Sequence, residues 1–278
     1  MTDVRDTTAP TQSYDSSTKP RGYIWYELMT TDADTAKAFY DAVVGWNIGE
    51  PSPEFQGYRM IGRRDGGFAG GVLPINADMQ QHGARPGWLG YIHVENVDRS
   101  VTAIEQEGGK TWMAATDIPN VGRIALVTDP QDAPFYIMKP IPPANDPNAQ
   151  SDVFSVDQPQ HVRWNELSTT DPERAIDFYR RHFGWRQEGD MDMGEMGKYR
   201  FIQSGSTTIG AVMRKPPHLP VSAWSYYIGV DDIDRAVEAV TAGGGTIMHG
   251  PIEIPGGEFA VNGIDPQGAP FALVGPRK

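Results

Sequence analysis

Residues 25–46 read WYELMTTDADTAKAFYDAVVGW, and residues 164–185 read WNELSTTDPERAIDFYRRHFGW. The two stretches lie 139 positions apart and are identical at 11 of 22 positions without a gap. Two later pairs of stretches match at an offset of 136, namely 88–94 with 224–230 and 129–135 with 265–271. Matches in the same order over so much of a 278-residue chain indicate a tandem duplication.

The duplication divides the chain into segments. Residues 1–20 are polar and rich in Thr, Ser, Asp and Pro, a composition typical of a disordered tail. The first copy extends over residues 21–141 and the second over residues 160–278, and we expect each copy to form one domain. Residues 142–159 contain four prolines and show little hydrophobic periodicity, which predicts a linker between the two domains.

Each copy contains the same order of elements twice. In residues 23–29 apolar and polar residues alternate, which predicts a strand with Trp25 and Glu27 on one face. Asp32 is a helix N-cap candidate, and apolar residues then recur at helical spacing as far as Gly45. Short alternating segments follow, and a second strand and helix begin near residue 88. The pattern predicts an α+β protein built from four βαβββ units.

Charge and composition limit the function classes. The chain has 24 Lys and Arg residues against 36 Asp and Glu residues, and its formal net charge of −12 would repel nucleic acid. It has no cysteine, which excludes disulfides, thiolate metal ligands and a cysteine nucleophile. No apolar run is long enough to span a membrane, and the N-terminus lacks the charged-then-apolar order of a signal peptide. We therefore expect a soluble, cytoplasmic protein with no nucleic-acid or membrane partner.

Both copies carry the same series of motifs. A strand is followed by D-x-x-x-A-x-x-FY-x-x-x-x-GW, then by a second strand and helix ending in glycines, then by D-P-x-[GD]-A-x-F. This arrangement resembles the vicinal oxygen chelate superfamily of glyoxalases, bleomycin-resistance proteins and extradiol dioxygenases. The resemblance implies two glyoxalase-like domains, each with a curled mixed sheet that encloses a cavity. It leaves open whether the four units pair within each copy or are exchanged between copies.

The resemblance also implies positions for the metal that the superfamily's enzymes use. Their ligands are His, Gln or Glu side chains on four strands, and the metal acts as a Lewis acid on the oxygens of the substrate. Carried over to this chain, the four positions in the two copies fall at Trp25 and Trp164, within 69–72 and 209–212, near Leu89 and Ser225, and at Tyr136 and Ala272. Neither copy keeps a recognisable ligand set, so we expect no cofactor there; a divalent metal would need non-standard ligands.

Two glutamates are the first candidates for chemistry. Glu27 and Glu166 follow Trp25 and Trp164 by two residues. Because alternate side chains of a strand point to the same face, each glutamate should point into the same cavity as its tryptophan. A carboxylate in a partly dry pocket has a raised pKa and can act as a general acid or base. The alternative is that each glutamate accepts structural hydrogen bonds, and its presence in both copies favours that structural role.

Further candidates come from differences between the copies. His93 has Gly229 as its counterpart in the second copy. It lies two residues after Tyr91 on the same predicted strand, so it would face the first cavity with Glu27 and Tyr136. This cluster predicts catalytic roles for Glu27, His93 and Tyr136, although a histidine found in one copy is more often a surface or hydrogen-bonded core residue. Arg123 is the candidate for binding an anionic substrate, and a solvated arginine at the edge of a strand is an equally open interpretation. The expected binding surface consists of Trp25, Tyr91, Arg123, Trp164, Glu166 and Tyr227.

Three functions fit these features. The first is a lyase- or isomerase-type enzyme, or one related to the dioxygenases, acting on a small oxygenated or aromatic molecule. The second is a non-catalytic protein that sequesters a small molecule, as bleomycin-resistance proteins do. The third is a regulatory protein whose surface binds another protein. Since four units complete two domains in one chain, either a monomer or a homodimer fits, and the substrate is left open.

Overall fold

The computed structural model of the chain describes residues 22–217 and 219–278. The tail expected over residues 1–20 lies outside the described residues. Across these two ranges, no helix is both long and apolar enough to cross a membrane.

The first half, residues 23–140, contains eight strands, three α-helices and one short 3₁₀ helix. In chain order the strands and helices are β1 (Tyr23–Thr30), α1 (Ala33–Val44), β2 (Asn47–Ile48), β3 (Arg59–Gly62), β4 (Phe68–Pro74), α2 (Ala77–Gln81), β5 (Gly87–His93), α3 (Val97–Gln106), β6 (Thr111–Ile118), β7 (Gly122–Thr128) and β8 (Pro134–Pro140).

The second half, residues 162–275, repeats this order apart from the short helix α2. Its elements are β9 (Val162–Thr169), α4 (Pro172–Phe183), β10 (Arg186–Asp192), β11 (Lys198–Ser204), β12 (Thr207–Arg214), β13 (Ala223–Gly229), α5 (Ile233–Ala242), β14 (Thr246–Glu253), β15 (Phe259–Ile264) and β16 (Pro270–Gly275), with one 3₁₀ helix. The predicted α+β class and the four βαβββ units are therefore confirmed.

The first long helix of each half begins and ends where the sequence predicts. The Asp32 carboxylate accepts hydrogen bonds from the backbone N–H groups of Asp34 and Thr35, at 3.1 and 3.0 Å, and so caps α1. Asp171 caps α4 in the same way. The helix α1 ends at Gly45, whose φ of 80° lies in the left-handed region that glycine adopts without strain.

Each half forms one eight-stranded mixed sheet from its own two units. The strand order is β2-β3-β4-β1-β5-β8-β7-β6 in the first half and β10-β11-β12-β9-β13-β16-β15-β14 in the second. The units are joined by the antiparallel pairs β1–β5 and β9–β13. Among the described residues, no strand of one half joins the sheet of the other, so the alternative of exchanged units is not the arrangement found.

The two halves share one aromatic core that lies between their sheets. Tyr26 of β1 donates a hydrogen bond to Asn165 of β9 at 2.8 Å, and these two residues occupy equivalent positions in the duplicated sequence. The hydroxyl of Tyr226 accepts the backbone N–H of Gly90, its own equivalent, at 2.8 Å. A side chain at position 90 would overlap the ring of Tyr23, so this close approach requires glycine. The halves therefore meet around an approximate twofold axis.

The repeated D-P motif contributes to this contact. The Asp129 carboxylate accepts the backbone N–H groups of Gln131 and Ala133 in its own turn, at 2.8 and 2.9 Å. Its other oxygen accepts the hydroxyl of Tyr179, from α4 of the other half, at 3.3 Å, and Tyr179 accepts the Trp224 indole N–H at 2.9 Å. The equivalent residues Asp265, Tyr40 and Trp88 form the same chain in the opposite direction. Both motifs thus serve the contact between the halves.

Part of the segment predicted as a linker packs against the first half. Val153 is buried in the shared core, and the Ser151 hydroxyl donates to the carbonyl of Ile24 at 2.7 Å. Arg63 pairs with both Asp65 and Asp152. The connection between the halves is therefore held by specific contacts along residues 151–153, whereas the boundaries of the domains stay predictions.

Candidate functional site

The central strands of each sheet carry the candidate side chains on one face, which we call the inner face. In the first half the inner face carries Trp25 and Glu27, two residues apart on β1. The register places Trp25 opposite Tyr91 and Glu27 opposite Leu89 across β1 and β5. Tyr91 in turn lies beside Tyr136 on the parallel strand β8. The fold therefore brings together Trp25, Glu27, Tyr91 and Tyr136, as the sequence predicts.

Glu27 is buried within this cluster and is 3% exposed. The Tyr91 hydroxyl donates to its Oε2 at 2.9 Å, and its Oε1 has no hydrogen-bond partner among the described residues. The ring of Tyr136 stacks on that of Tyr91 with the centroids 4.2 Å apart and an interplanar angle of 13°. The Trp25 indole N–H donates to the Tyr58 hydroxyl at 2.8 Å. Glu27 is therefore covered by aromatic rings.

Burial has a large effect on this carboxyl group. Removal from water disfavours the charged form and raises the pKa of Glu27 to about 7, although the hydroxyls of Tyr91 and Tyr58 act in the opposite direction. Near neutral pH the group is therefore present in both its charged and its neutral form. A raised pKa fits an acid–base role and equally fits a buried structural carboxyl, so accessibility decides between them.

The second half repeats this cluster with different surroundings. The Trp164 indole N–H donates to the Tyr199 hydroxyl at 2.6 Å, and Tyr199 donates to Oε2 of Glu166 at 2.7 Å. The Tyr227 hydroxyl lies 3.4 Å from the same oxygen, a long contact, and the Asn262 amide nitrogen lies 3.5 Å from that hydroxyl. Burial raises the pKa of Glu166, and the two tyrosine hydroxyls oppose that shift. Unlike Glu27, Glu166 is only half-buried.

The side chains around the two glutamates differ greatly in size. In the first half a second apolar cluster covers the inner face, consisting of Tyr91, Ile124, Tyr136 and Met138 with Ile24, Trp25, Leu89, Met113, Ile118 and Leu126 around them. The same positions in the second half carry Tyr227, Ala260, Ala272, Val274, Arg163, Trp164, Ser225, His249, Ile254 and Asn262.

Strand register supports this equivalence. Leu126 faces Tyr136 across β7 and β8, and Asn262 faces Ala272 across β15 and β16. No corresponding apolar cluster forms among the second-half residues that the structure describes. The first inner face is therefore covered by large apolar side chains, whereas the second carries smaller and more polar ones, and Glu166 and Tyr227 are more exposed than Glu27 and Tyr91.

Two of the predicted site residues take no part in the hydrogen bonds of Glu27. His93 is half-buried and lies further along β5, beside Met138 of β8. Arg123 forms a bidentate pair with Asp98, at 2.9 and 2.8 Å, and a further pair with Asp117 at 3.1 Å. Its charge is thus matched by two carboxylates, and the binding of an anionic substrate by Arg123 stays a prediction.

The inner faces offer a poor set of ligands for the superfamily's divalent metal. Glu27 lies between Gly71 of β4 and Leu89 of β5, neither of which has a donor side chain. Glu166 has Ala211 and Ser225 in these places. Within residues 22–217 and 219–278 there is no group of three or more His, Cys, Asp or Glu residues that could hold a metal ion. The residues present do not fit the metal, and we assign no chemical step to one.

A cavity of about 540 Å³ lies elsewhere, beside the start of α4. It is lined mainly by polar and charged residues, and it contains neither Glu27 nor Glu166. Two of its lining residues, Glu173 and Arg200, pair with each other. The equivalent pair in the first half is Asp34 with Arg59, so the arrangement is a repeated structural contact.

Three residues of the two clusters are absent from the sequence-based prediction. Tyr58 and Tyr199 lie at equivalent positions and bond to the two tryptophans, and the signal available was their repetition beside an arginine in both copies. Asn262 was detectable only as a polar residue in place of Leu126, once the inner face was known. The sequence indicates that such residues repeat, but not that they meet.

Comparison with known families agrees with the fold. The sequence profile of the Glyoxalase/Bleomycin resistance protein/Dioxygenase superfamily matches residues 158–273, which form the second half. A full-length relative is 32% identical over 255 residues. The chain belongs to this superfamily.

That relative is CFP32 of Mycobacterium tuberculosis (strain CDC 1551 / Oshkosh), a protein named as a candidate glyoxylase, and the match covers 91% of this chain and 94% of CFP32. The anthracycline biosynthesis protein DauV of Streptomyces sp. (strain C5) is 26% identical over 269 residues, which is 92% of this chain and 93% of DauV. Among solved structures, the Mn(II)-bound glyoxalase from Novosphingobium aromaticivorans has a TM-score of 0.61 and 15% identity, covering 94% of this chain and 83% of that chain. At that identity the likeness concerns the fold.

Proposed function

We propose that the second half binds a small oxygenated or aromatic molecule and that Glu166 transfers a proton to or from it, as a lyase or isomerase requires. The observation that carries this proposal is the contrast between the inner faces. Large apolar side chains fill the first, whereas the second leaves Glu166 half-buried among polar groups. A ligand site is typically a concave surface with a few converging polar groups.

The step fits the groups around Glu166. The carboxylate takes a proton from a carbon next to a carbonyl, the electron pair of that C–H bond moves towards the carbonyl oxygen, and an enolate forms. The contacts of the Tyr227 hydroxyl are all long, at 3.4 and 3.5 Å to Glu166 and 3.5 Å from the Asn262 amide, so it is available to donate to the enolate oxygen. When the carbon that loses its proton carries a hydroxyl, the proton of that hydroxyl passes to the enolate oxygen, the neighbouring C–O becomes the new carbonyl, and return of the first proton to the former carbonyl carbon completes an isomerisation.

Support also comes from the relatives. The superfamily profile matches the second half. The catalytic roles predicted for Glu27, His93 and Tyr136 would instead place the reaction in the first half, where large apolar side chains cover the inner face. We therefore assign the proton transfer to Glu166 in preference to Glu27. DauV, a full-length relative, is named for anthracycline biosynthesis, and a role with a small molecule is compatible with that name.

One observation favours a binding protein without catalysis. Oε2 of Glu166 already accepts hydrogen bonds from Tyr199 and Tyr227, and Oε1 lies 3.5 Å from Tyr227. A carboxylate whose oxygens both accept hydrogen bonds is a weaker base. Catalysis therefore requires the substrate to displace the long Tyr227 contacts.

Deuterium exchange into a small ketone distinguishes these two functions. The probe is 2-hydroxyacetophenone in D₂O, with the protein dialysed against a chelator and the loss of the CH₂ signal followed by NMR. We expect the wild type to accelerate exchange and Glu166→Gln to be slower by about 100-fold or more. Glu27→Gln is the matched control and should keep the wild-type rate.

The proposal is wrong if folded Glu166→Gln exchanges the probe as fast as the wild type. Exchange at the buffer rate in every protein, combined with binding of the probe, favours the non-catalytic alternative. Circular dichroism of each variant establishes that the fold is intact.

A further inference from the structure

The most informative difference between the halves concerns one ring. Tyr136 and Ala272 occupy the same place, beside Tyr91 on β5 and beside Tyr227 on β13. In the first half the Tyr136 ring covers the face of Tyr91, and these two side chains are 4% and 5% exposed. In the second half, alanine provides no ring at this position.

Tyr227 lacks the stacked ring that covers Tyr91. Its ring makes no aromatic contact with any other residue that the structure describes, and it is half-buried where Tyr91 is buried. The neighbouring positions are also smaller or more polar, because Ala260 and Asn262 stand where the first half has Ile124 and Leu126. The ring that tyrosine supplies in one half is therefore missing in the other.

The polar groups at this place define what kind of ring fits. Glu166 presents a carboxylate that accepts hydrogen bonds, and the Asn262 amide donates at 3.5 Å to the Tyr227 hydroxyl. A hydroxyl on the ligand could donate to Glu166 and accept from Asn262 at once. An anionic ligand would be repelled by Glu166 when the latter is charged, and the chain as a whole carries a net charge of −12.

We propose that the second half binds a planar phenolic ring stacked on Tyr227, in the place that the Tyr136 ring occupies in the first half, with the phenol hydroxyl between Glu166 and Asn262. Aromatic rings prefer such offset stacking, and burial of the ring removes apolar surface from water. This inference names the substrate class for the proposed function and rests on the second half being the working site.

The probe that tests it is p-cresol, which is the tyrosine side chain as a free molecule. Its affinity for the wild-type protein is measured by calorimetry or protein NMR and compared with that of 4-methylcyclohexanol, which has the hydroxyl without the planar ring, and of toluene, which has the ring without the hydroxyl. We expect p-cresol to bind at one site and both analogues to bind at least fivefold more weakly.

Substitutions at the two equivalent positions, 136 and 272, test whether p-cresol takes the place of the ring. Ala272→Tyr places the first half's own ring into the second and should weaken p-cresol binding at least tenfold. Tyr136→Ala uncovers Tyr91 and should create a second p-cresol site on the first half, while Tyr136→Phe, which keeps the ring, should not. Equal affinity for p-cresol and 4-methylcyclohexanol overturns the inference, as does unchanged p-cresol affinity in folded Ala272→Tyr. The comparison of probes needs no variant and so holds if a variant fails to fold.

The outcome can be separated from that of the proposed function. If p-cresol does not bind but Glu166→Gln abolishes deuterium exchange, the phenolic class is wrong and the acid–base role stands. If p-cresol binds as expected while Glu166→Gln keeps the exchange rate, the ring site stands and the proton transfer by Glu166 is wrong.

Discussion

Glu27→Gln should change how the stability of the protein depends on pH. Burial raises the pKa of Glu27 from 4.5 to about 7 in the folded state, whereas in the unfolded chain the group is in water. Between these two values the folded state holds a proton that the unfolded state has lost. The stabilising contribution of Glu27 is therefore fully present below pH 4.5 and is lost as the pH rises to about 7.

The size of this effect follows from the pKa shift. The two values differ by 7 − 4.5 = 2.5 units, and each unit corresponds to about 1.4 kcal/mol, so the free energy of unfolding should fall by about 3 kcal/mol across the window. Glutamine has nearly the same shape and no proton to lose, and its amide oxygen can still accept from Tyr91. The variant should therefore lack this part of the pH dependence.

Urea unfolding followed by circular dichroism between about pH 4 and pH 8 measures the difference. Asp129, whose pKa burial raises to about 6, adds a slope of the same sign, but it is present in both proteins and cancels in the comparison. We expect the stability of Glu27→Gln relative to the wild type to increase by about 3 kcal/mol from about pH 4 to pH 8. Parallel curves for the two proteins would show that Glu27 is not buried as described.

Two further substitutions test other parts of the structure. Tyr179→Phe removes the hydroxyl that lies between Trp224 and Asp129 and leaves both buried groups without that partner. It should lower the free energy of unfolding by about 1–3 kcal/mol in a urea titration, and an unchanged midpoint would contradict the role of this contact between the halves. Arg123→Ala removes ion pairs at the surface, so it should leave the urea midpoint nearly unchanged; a fall in the free energy of unfolding of more than about 1 kcal/mol would show that these pairs stabilise the fold.

Much of the fold could be predicted because the duplication repeats each local signal. Asp32 and Gly45 fix the ends of α1 through capping and left-handed backbone, both of which depend on neighbouring residues alone. The pairing of units could not be predicted, because strands of equal length and pattern in the two halves could replace one another. It is settled by contacts far apart in sequence, such as the β1–β5 register.

The site was predictable in part, for a related reason. The period of a strand places Glu27 beside Trp25, and the structure agrees. The sequence interpretation identifies the catalytic half by the histidine found only in the first copy, His93. The difference that bears on accessibility is instead the absence of large side chains in the second copy, above all at Ala272. A large side chain replaced by a small one leaves no motif in the sequence. The replacement indicates a difference between the two sites only when the residues of the inner face are known from the structure.

The contact between the halves explains how the two inner faces can differ. Each half supplies a tyrosine and an aspartate to the contact, so the two halves contribute equally to the shared core. The side of each sheet that faces this core is buried in both halves. In the first half, the stacked Tyr136 adds a second core on the other side of the sheet. Replacement of such a buried aromatic residue by alanine typically costs about 3–5 kcal/mol. The second half lacks this stabilisation at Ala272. Ala272→Tyr should therefore raise the midpoint of urea unfolding while it closes the proposed binding site, which is the trade-off expected at a functional surface; an unchanged or lower midpoint would contradict this.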